Sequence, residues 1–282
     1  MLERKGSVTA LRVSLVRTIH QVVDDLPHIL DDPISPKLID PEVIARILRE
    51  PEKHNSRAAR GLRSHIVLRS RYAEDELREA IFRGLKQFVN LGAGYDTFAY
   101  RQPRWANGLR ILEIDHPATQ KDKRTQFRAS GLKDPDNLSF MPFDLEINDL
   151  RRGIASSSMD LASPIWFSCL GVFAYLRKDT VLRVLRTVAG LPKGSGIVFA
   201  FSPDKKRTIA IPQGPGSVAE RAAELGEPWL TRFETKGLQR ELEGCGFTEI
   251  SFLELREAES RYYSNRTDLP APRMVRLCKA MA

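Results

Sequence analysis

Apolar residues along the chain follow two different spacings, which predict two kinds of secondary structure. Continuous apolar runs of about 4–8 residues are typical of buried strands, whereas apolar residues three and four apart mark one face of a helix. The runs predict strands at 87–91, 109–114, 138–143, 163–169, 196–201, 247–255 and 274–279. The helical spacing predicts helices at 8–23, 41–50, 56–71, 73–85, 181–189, 217–225 and 235–243.

The two helices nearest the N-terminus are each predicted to present one apolar face. In the first helix this face contains Leu11, Leu15, Ile19 and Val22. The second helix begins with Asp40 as a candidate N-cap and with proline at the first helical position. Its apolar face contains Val43, Ile44, Ile47 and Leu48. Since both helices precede every strand, we expect a helical addition that serves as a lid.

Strands and helices alternate from residue 87 onward, which is typical of a mainly parallel sheet with helices on both faces. The predicted fold class is therefore α/β, with a doubly wound, Rossmann-like sheet and an N-terminal helical addition. A chain of 282 residues is long enough for one large domain with extra elements. The predicted division is an N-terminal helical lid, 1–72, followed by one α/β domain, 73–282.

The first predicted strand runs directly into Gly92-Ala93-Gly94. A strand that breaks into Gly-x-Gly before a helix presents backbone N–H groups to a ligand across its C-terminal end. Glycine suits this position because a Cβ would hold the ligand away from the backbone. The loop is therefore predicted to bind a cofactor that contains a nucleoside.

The residues around this loop favour S-adenosylmethionine. A dinucleotide fingerprint needs a third glycine, and Thr97 stands at that position. The loop also lacks the following Lys-[Ser/Thr] of a nucleoside triphosphate site. Glu113 and Asp115 end the second strand, 21 and 23 residues after Gly92, where acids suit the ribose hydroxyls. A cofactor with a ribose and an adenine but no phosphate fits this set.

Composition and charge limit the kinds of binding partner and the cellular compartment that the sequence favours. The net charge is +8 and the pI is near 9.5, which leaves nucleic acid as an alternative partner. Arginine is spread along the whole chain, however, so nucleic acid is the less favoured partner. Three scattered cysteines without a Cys-x-x-Cys pair argue against a disulfide framework and a zinc site, and favour the reducing cytoplasm. The chain has no apolar run long enough to span a membrane.

Several motifs of this chain resemble those of the leucine carboxyl methyltransferase family. The central resemblance is Leu91-Gly92-Ala93-Gly94-Tyr95-Asp96-Thr97, continued by Ala99-Tyr100-Arg101 and by Glu113-Ile114-Asp115-His116-Pro117. Further similar segments are Asp31-Asp32-Pro33, Leu68-Arg69-Ser70-Arg71-Tyr72, Phe143-Asp144-Leu145, Leu170-Gly171-Val172, Tyr175-Leu176, Arg261-Tyr262-Tyr263 and Arg266-Thr267-Asp268. The resemblance implies an S-adenosylmethionine-dependent O-methyltransferase of the bacterial branch, many of whose members act on small molecules.

The resemblance also implies a role for each matching residue. The cofactor-binding set is Arg69, Gly92, Ala93, Gly94, Asp115, Asp144 and Leu145. The two glycines and Ala93 would pass under the methionine part, and Arg69 would pair with its carboxylate. Asp115 would accept from the ribose hydroxyls, while Asp144 and Leu145 would hold the adenine. The family implies no metal and identifies no catalytic residue here.

Three of these residues also have structural interpretations that the sequence leaves open. Asp115 could be a helix N-cap before Pro117, and Asp144 could cap a turn after the third strand. Arg69 could instead form a surface ion pair with Glu74 or Asp75.

One departure from the family bears on the reaction. Many members have Glu-Gly-[Val/Leu] after the fourth strand, whereas this chain has Leu170 in place of the glutamate. The difference argues against the branch that methylates a C-terminal leucine of a protein, and favours a small-molecule acceptor. An acidic acceptor would suit the basic surface of the chain. A carboxylate acceptor is already ionised near neutral pH and needs no general base. The acceptor oxygen could belong to a carboxylate or a hydroxyl. The alternative functions are a nicotinamide-dependent oxidoreductase and a nucleic-acid-binding protein on a methyltransferase fold.

Overall fold

The structure is a computed structural model that describes residues 7–202, 228–272 and 275–282. The predicted helix at 217–225 lies outside these ranges, as does most of the segment 202–217, whose proline, glycine, lysine and arginine content predicts an exposed loop. The α-helices are α1 (Val8–Val23), α2 (Pro41–Arg49), α3 (Arg57–Phe82), α4 (Phe98–Arg101), α5 (Pro117–Ala129), α6 (Leu150–Ala155), α7 (Lys178–Ala189), α8 (Thr235–Cys245) and α9 (Leu255–Ala258). The strands are β1 (Gln87–Leu91), β2 (Arg110–Asp115), β3 (Leu138–Pro142), β4 (Trp166–Cys169), β5 (Gly196–Ala200), β6 (Glu249–Phe252) and β7 (Leu277–Met281).

All seven of these strands form one sheet in the order β3-β2-β1-β4-β5-β7-β6. The first five strands are parallel to one another, and β7 is antiparallel to both β5 and β6. The predicted doubly wound, mainly parallel sheet is confirmed. The strand order reverses between β1 and β4, so the carboxyl ends of these two strands flank the crevice in which such folds bind ligands.

Both faces of the sheet are buried. Every residue of β1 and of β5 is buried, which explains their continuous apolar runs. On one face, Val89 belongs to a core cluster that includes Leu185 of α7. On the other face, Phe88 belongs to a second cluster with Leu68 and Tyr72 of α3. The central strands are therefore fixed between two helical layers.

Helix α3 is a single helix, whereas the sequence analysis predicted separate segments at 56–71 and 73–85. It runs without a break from Arg57 to Phe82. No glycine or proline interrupts the chain between residues 62 and 82, so nothing ends the helix there. The boundary predicted between residues 72 and 73 lies inside α3, and the division into a lid and a domain stays a prediction.

The face of α1 that is buried differs from the predicted one. Leu11 of the predicted apolar face is 44% exposed, although Ile19 is buried. The buried side instead includes Ser14, Arg17 and Thr18. Polar side chains lie inward here because this side of α1 faces charged partners on the glycine loop and on α3, as described below.

Helix α2 shows the predicted cap but buries little of its predicted face. Asp40 Oδ1 accepts a hydrogen bond from Glu42 N at 2.8 Å, as expected of an N-cap. Ile47 is buried, whereas Leu48 is 54% exposed. The helix therefore lies at the outer surface of the N-terminal region.

Buried ion pairs fasten the end of α1 to α3. The Arg63 guanidinium donates to both carboxylate oxygens of Asp24, at 2.7 and 3.0 Å. His20 Nδ1 lies 2.8 Å from the same carboxylate. Arg266 and Asp268, from the tail of the chain, bond the backbone of Asp25 at 2.8 and 2.9 Å. These contacts fix α1 relative to the sheet.

Candidate functional site

The loop after β1 has a backbone that only glycine adopts readily. Gly92 and Gly94 have φ angles of 64° and 49°, in the left-handed region. Gly92 N donates to Ile114 O at 2.7 Å, which holds the loop against the end of β2. A Cβ on Gly92 would lie 2.1 Å from Val172 Cγ2, so the position has no room for a side chain. Ala93, between the two glycines, is buried.

Asp115 at the end of β2 lies directly beside this loop. Its Oδ2 accepts a hydrogen bond from Gly94 N at 2.5 Å, and its Oδ1 accepts from His116 N at 2.6 Å. Burial raises the pKa of Asp115, while the bonds from Gly94 and His116 oppose that rise. Each carboxylate oxygen keeps a second lone pair for another donor. Asp115 therefore links the end of β2 to the glycine loop, and these two segments form the two sides of the predicted nucleoside site.

Glu113, the other acid at the end of β2, is committed elsewhere. It is buried, and Lys123 Nζ donates to its Oε2 at 2.6 Å. Burial raises the pKa of Glu113 to about 7, although Lys123 acts in the opposite direction. Of the two acids, only Asp115 is bonded to the glycine loop.

Arg69 projects from α3 toward the residues that follow β4. A Cβ on Gly171 would lie 2.6 Å from Arg69 Nη1, so the guanidinium packs against the Gly171 backbone. Burial, reinforced by the neighbouring Arg17, lowers the pKa of Arg69 to about 10. Arg69 Nε is buried without a hydrogen-bond partner. The surface ion pair with Glu74 or Asp75 is not present, because Glu74 binds Arg101 and Asp75 binds Arg71.

Asp144 and Leu145 lie just beyond the end of β3. Phe143 N donates to Asp115 O at 2.7 Å, so this segment runs beside the end of β2. Asp144 Oδ1 accepts from Glu146 N at 2.9 Å, which is the turn-capping bond foreseen as an alternative. Leu145 is buried in the core. The structure thus brings these residues to the same sheet edge as the glycine loop, and their role toward adenine stays a prediction.

Helix α1 covers the glycine loop. A Cβ on Gly94 would lie 3.2 Å from Ala10 Cβ. Ser7 N, just before the helix, donates to Thr119 Oγ1 of α5 at 3.2 Å. The predicted cofactor loop therefore has the first helix as a direct neighbour.

Asp96, two residues after Gly94, forms a buried contact with α1 that sequence reasoning missed. Its Oδ2 accepts from Arg17 Nη2 at 2.9 Å, and its Oδ1 accepts from Phe98 N at 2.9 Å. Burial alone would raise the pKa of Asp96, but Arg17 and other nearby cations hold it below its usual range. The same Arg17 Nη2 donates to Ser70 Oγ at 2.7 Å. Arg17 thus joins α1, the glycine loop and α3.

A second missed contact involves Arg101 at the end of α4. Arg101 binds the carboxylate of Glu74 through both terminal nitrogens. Asp32 lies 3.9 Å from Arg101 Nε and 3.7 Å from Arg17 Nη1. Sequence reasoning assigned no partner to Asp32 or Arg101, and it offered Glu74 only as an alternative partner of Arg69. The available signal was that a charge inside a buried segment requires a partner.

The sequence profile described as leucine carboxyl methyltransferase matches residues 10–189 of this chain. The chain belongs to the leucine carboxyl methyltransferase family. It is an S-adenosylmethionine-dependent methyltransferase, so the predicted family and cofactor are confirmed. The alternative of a nicotinamide-dependent oxidoreductase is thereby set aside.

Relatives of the family cover most of the chain. YktD of Bacillus subtilis strain 168, a proposed S-adenosyl-L-methionine-dependent methyltransferase, is 29% identical over 293 residues and covers 95% of each chain. A similarly described protein of Mycobacterium marinum is 29% identical over 230 residues, covering 79% of this chain and 72% of the relative. A proposed methyltransferase from Thermobifida fusca has a TM-score of 0.56 at 17% identity, covering 98% of this chain and 94% of that one. A DUF574 protein from Streptomyces avermitilis has a TM-score of 0.54 at 16% identity, covering 95% and 96%. The two solved structures share the fold.

The departure from the family at Leu170 leaves an apolar side chain where many members have a glutamate. Leu170 packs against the core cluster that contains Leu68. Gly171 has a φ of 77° and lies against Arg69, while Val172 lies against Gly92. The segment after β4 therefore contacts the glycine loop and the arginine through glycine and apolar side chains.

The histidines near the site are poor proton acceptors or have structural partners. Burial, together with Arg69, lowers the pKa of His65 to about 4. His116 caps α5, where Ala118 N donates to His116 Nδ1 at 3.4 Å. Within the described ranges, no group of three or more His, Cys, Asp or Glu residues could hold a metal ion.

Two shallow clefts lie away from this site. One of about 440 Å³ is lined by residues between 128 and 134, and one of about 320 Å³ is lined by residues around Gly108 and Ser139. Neither lining includes a predicted site residue. Among the described helices, none is long and apolar enough to cross a membrane.

Proposed function

We propose that this protein transfers a methyl group from S-adenosylmethionine to an oxygen of a small molecule, and that this oxygen belongs to a carboxylate. The observation that carries the proposal is Arg69, whose guanidinium lies beside Gly171 and whose Nε is buried without a partner, at the edge of the sheet where the glycine loop lies. An arginine whose Nε is buried without a partner fits a ligand that brings a carboxylate. The amino-acid end of the cofactor carries such a group.

The residues present fit the cofactor in three further respects. The left-handed φ angles of Gly92 and Gly94 turn the chain sharply at the end of β1 and bring the loop beside Asp115. Asp115 retains acceptor capacity for ribose hydroxyls beside the loop. Asp144 can accept from the exocyclic amine of adenine, and Leu145 can pack on the ring. These assignments place the cofactor along the carboxyl ends of β1, β2 and β3.

The bound cofactor supplies a methyl group on a sulfonium sulfur, which an acceptor oxygen can attack in line. The protein then needs to orient the acceptor and exclude water more than to supply acid or base, since positioning alone lowers such a barrier substantially. In the described part of the chain, α1 lies beside the glycine loop, with Ala10 against Gly94. Helix α1 is thus the element suited to exclude water from the reaction.

A carboxylate acceptor agrees with the titratable groups beside the site. A free carboxyl group has a pKa of about 4 and is ionised near neutral pH. A phenol or an alcohol would first have to lose a proton. His65, with its pKa lowered to about 4, accepts a proton weakly at neutral pH. Asp96 is held ionised by Arg17 and is bonded by Phe98 N as well.

The acceptor class can be tested by methyl transfer to a panel. Purified protein is incubated with S-adenosylmethionine labelled in its methyl group and with aliphatic acids, aromatic acids, phenols and alcohols in separate reactions. The proposal predicts labelled products from acids only, and these products should release methanol in mild base because they are esters. Base-stable methyl ethers, or transfer to nitrogen, would contradict it.

Placement in the cytoplasm and the exclusion of nucleic acid as a partner stay predictions.

A further inference from the structure

Lys123 of α5 is a buried cation beside the end of β2. Its side chain is 1% exposed, and its Nζ donates to Glu113 Oε2 at 2.6 Å. The ammonium also lies 5.9 Å from the ring centroid of Tyr100 and 5.1 Å from that of Phe127, and aromatic faces attract a cation. The acid and the two rings therefore hold one positive charge at a fixed place inside the protein.

Glu113 alone does not neutralise this charge near neutral pH. Its Oε1 is buried without a hydrogen-bond partner, so half of the carboxylate lacks a donor. Burial raises the pKa of Glu113 to about 7, even though Lys123 opposes the rise. A substantial share of the Glu113 side chains is therefore protonated at pH 7, while the ammonium keeps its charge. The pair as a whole is then positive toward its surroundings.

Two acids beside the proposed cofactor site lie within the field of this charge. Asp115 follows Glu113 by two residues on β2, and side chains two apart on a strand lie on the same face. Burial raises the pKa of Asp115, and Lys123 acts against that rise. Burial would also raise the pKa of Asp96, which Arg17 and Lys123 together hold below its usual range. The lysine thus favours the ionised form of both carboxylates.

The other groups that face Asp115 supply less positive charge than the lysine. His116, directly after the strand, acts on Asp115 in the same direction but more weakly. On β4, burial raises the pKa of the Cys169 thiol, so that group is uncharged near neutral pH. The guanidinium of Arg17 is bonded to Asp96, which offsets its charge. The ionised state of Asp115 therefore depends mainly on its backbone hydrogen bonds and on the lysine.

We propose that Lys123 is a positioning residue for the cofactor, whose buried ammonium keeps Asp115 ionised so that this carboxylate accepts from the ribose hydroxyls throughout the neutral pH range. Glu113 holds the ammonium in place and reduces its effect when ionised. This inference rests on the proposed position of the cofactor beside Asp115.

The test compares two variants that break the same ion pair and change its charge in opposite directions. Lys123→Met removes the positive charge and Glu113→Gln removes the negative one, each with little change of shape. Lys121→Met is the matched control, because Lys121 is exposed on the same helix.

Calorimetry of the full chain measures binding between about pH 6 and about pH 8.5, on either side of neutrality. The probes are S-adenosylhomocysteine and 5′-methylthioadenosine, which has the same nucleoside but no amino-acid end. Each affinity is divided by that of the unaltered protein at the same pH, which removes the titration of the ligand itself.

The proposal predicts that Lys123→Met loses affinity mainly at the lower pH. We expect about a tenfold loss near pH 6 and recovery toward the unaltered affinity near pH 8.5, because a buried carboxylate without its cation takes up a proton at the lower pH. Both probes should show this loss, since both carry the ribose. Adding Asp115→Asn to Lys123→Met should abolish the pH dependence. Glu113→Gln and Lys121→Met should match the unaltered protein.

Four results would overturn the proposal. Unchanged affinity in Lys123→Met would show that its charge does not act on Asp115. Equal losses in Lys123→Met and Glu113→Gln at every pH would show that the pair only supports the fold, and any loss in Glu113→Gln alone would contradict the stated direction of the charge effect. A pH dependence that survives Asp115→Asn would belong to another group.

The unaltered protein separates this inference from the proposed function. If it binds S-adenosylhomocysteine and one of the four contrary results is found, only the role of Lys123 is removed. If it binds neither probe, the proposed cofactor position is removed as well.

Discussion

The guanidinium of Arg17 lies 2.9 Å from the carboxylate of Asp96, so the first helix is bonded to the residue that follows the glycine loop. The arginine is buried and the aspartate is nearly so. Asp96 in turn accepts from Phe98 N at the start of α4. One ion pair therefore links the cover of the site, the cofactor loop and the next helix.

Breaking this pair should destabilise the protein and weaken cofactor binding together. Asp96→Asn leaves the Arg17 charge buried with less compensation, and such changes lower the free energy of unfolding by about 3 kcal/mol. Urea denaturation measures this effect, with the exposed Asp136→Asn as control. A double-mutant cycle that combines Asp96→Asn with Arg17→Met should show a large coupling energy between the two residues in the free energy of unfolding. Additive effects of the two substitutions would show that the pair contributes nothing.

The sequence predicted the strands and the glycine loop well, because both depend on local features. The bounds of β1 match the prediction, since a strand buried on both faces must be apolar throughout. The proximity of Asp115 to the loop followed from adjacent parallel strands, whose carboxyl ends lie at one sheet edge.

The sequence could not predict contacts between distant segments. The partners Arg17 and Asp96 are 79 residues apart, and no local spacing pairs them. The prediction of the buried face of α1 was also wrong at Leu11, which is exposed although the apolar spacing included it. The ion pair of Arg17 with Asp96 instead turns the polar side of the helix inward. A helix that faces a polar site buries polar residues, and apolar periodicity alone cannot show this.

Gly92→Ala should weaken cofactor binding for a steric reason. The new Cβ would lie 2.1 Å from Val172 Cγ2, in addition to the strain at a φ of 64°. Gly84→Ala is a matched control, because its φ is 97° and nothing lies within 4 Å of the added Cβ. We expect at least about a tenfold loss of S-adenosylhomocysteine affinity for the first variant only. Adding Val172→Ala should restore part of it, and a Gly84→Ala loss of equal size would refute the steric explanation.

Arg69→Met should separate stability from binding. Removing a guanidinium whose Nε is buried without a partner should leave the free energy of unfolding unchanged or raise it by about 1 kcal/mol. The affinity for S-adenosylhomocysteine should fall, and that for 5′-methylthioadenosine should not. Arg78→Met, exposed on the same helix, should change neither. Marked destabilisation by Arg69→Met would indicate a structural role instead.

His65 should make the protein less stable in mild acid. Its folded pKa of about 4 lies below the usual value of 6.5, so the unfolded chain binds the proton more tightly. Above pH 6.5 His65 is unprotonated in both the folded and the unfolded chain, so it costs no stability. As the pH falls toward 4, the unfolded chain takes up a proton that the folded chain does not, and the free energy of unfolding decreases. His65→Gln should therefore match the unaltered protein at pH 7 and be more stable at pH 4.5, by roughly 2 kcal/mol. Urea denaturation at the two pH values measures this, and an identical pH dependence of both proteins would exclude the effect.

The central claim is that S-adenosylmethionine binds along the glycine loop with Asp115 on its ribose. Isothermal titration calorimetry of S-adenosylhomocysteine with the unaltered protein and with Asp115→Ala tests it directly. We expect one molecule bound per chain, and an affinity at least about tenfold lower in the variant, because the ribose hydroxyls lose a charged acceptor. Absence of binding to the unaltered protein, or equal affinity in Asp115→Ala, would contradict the account.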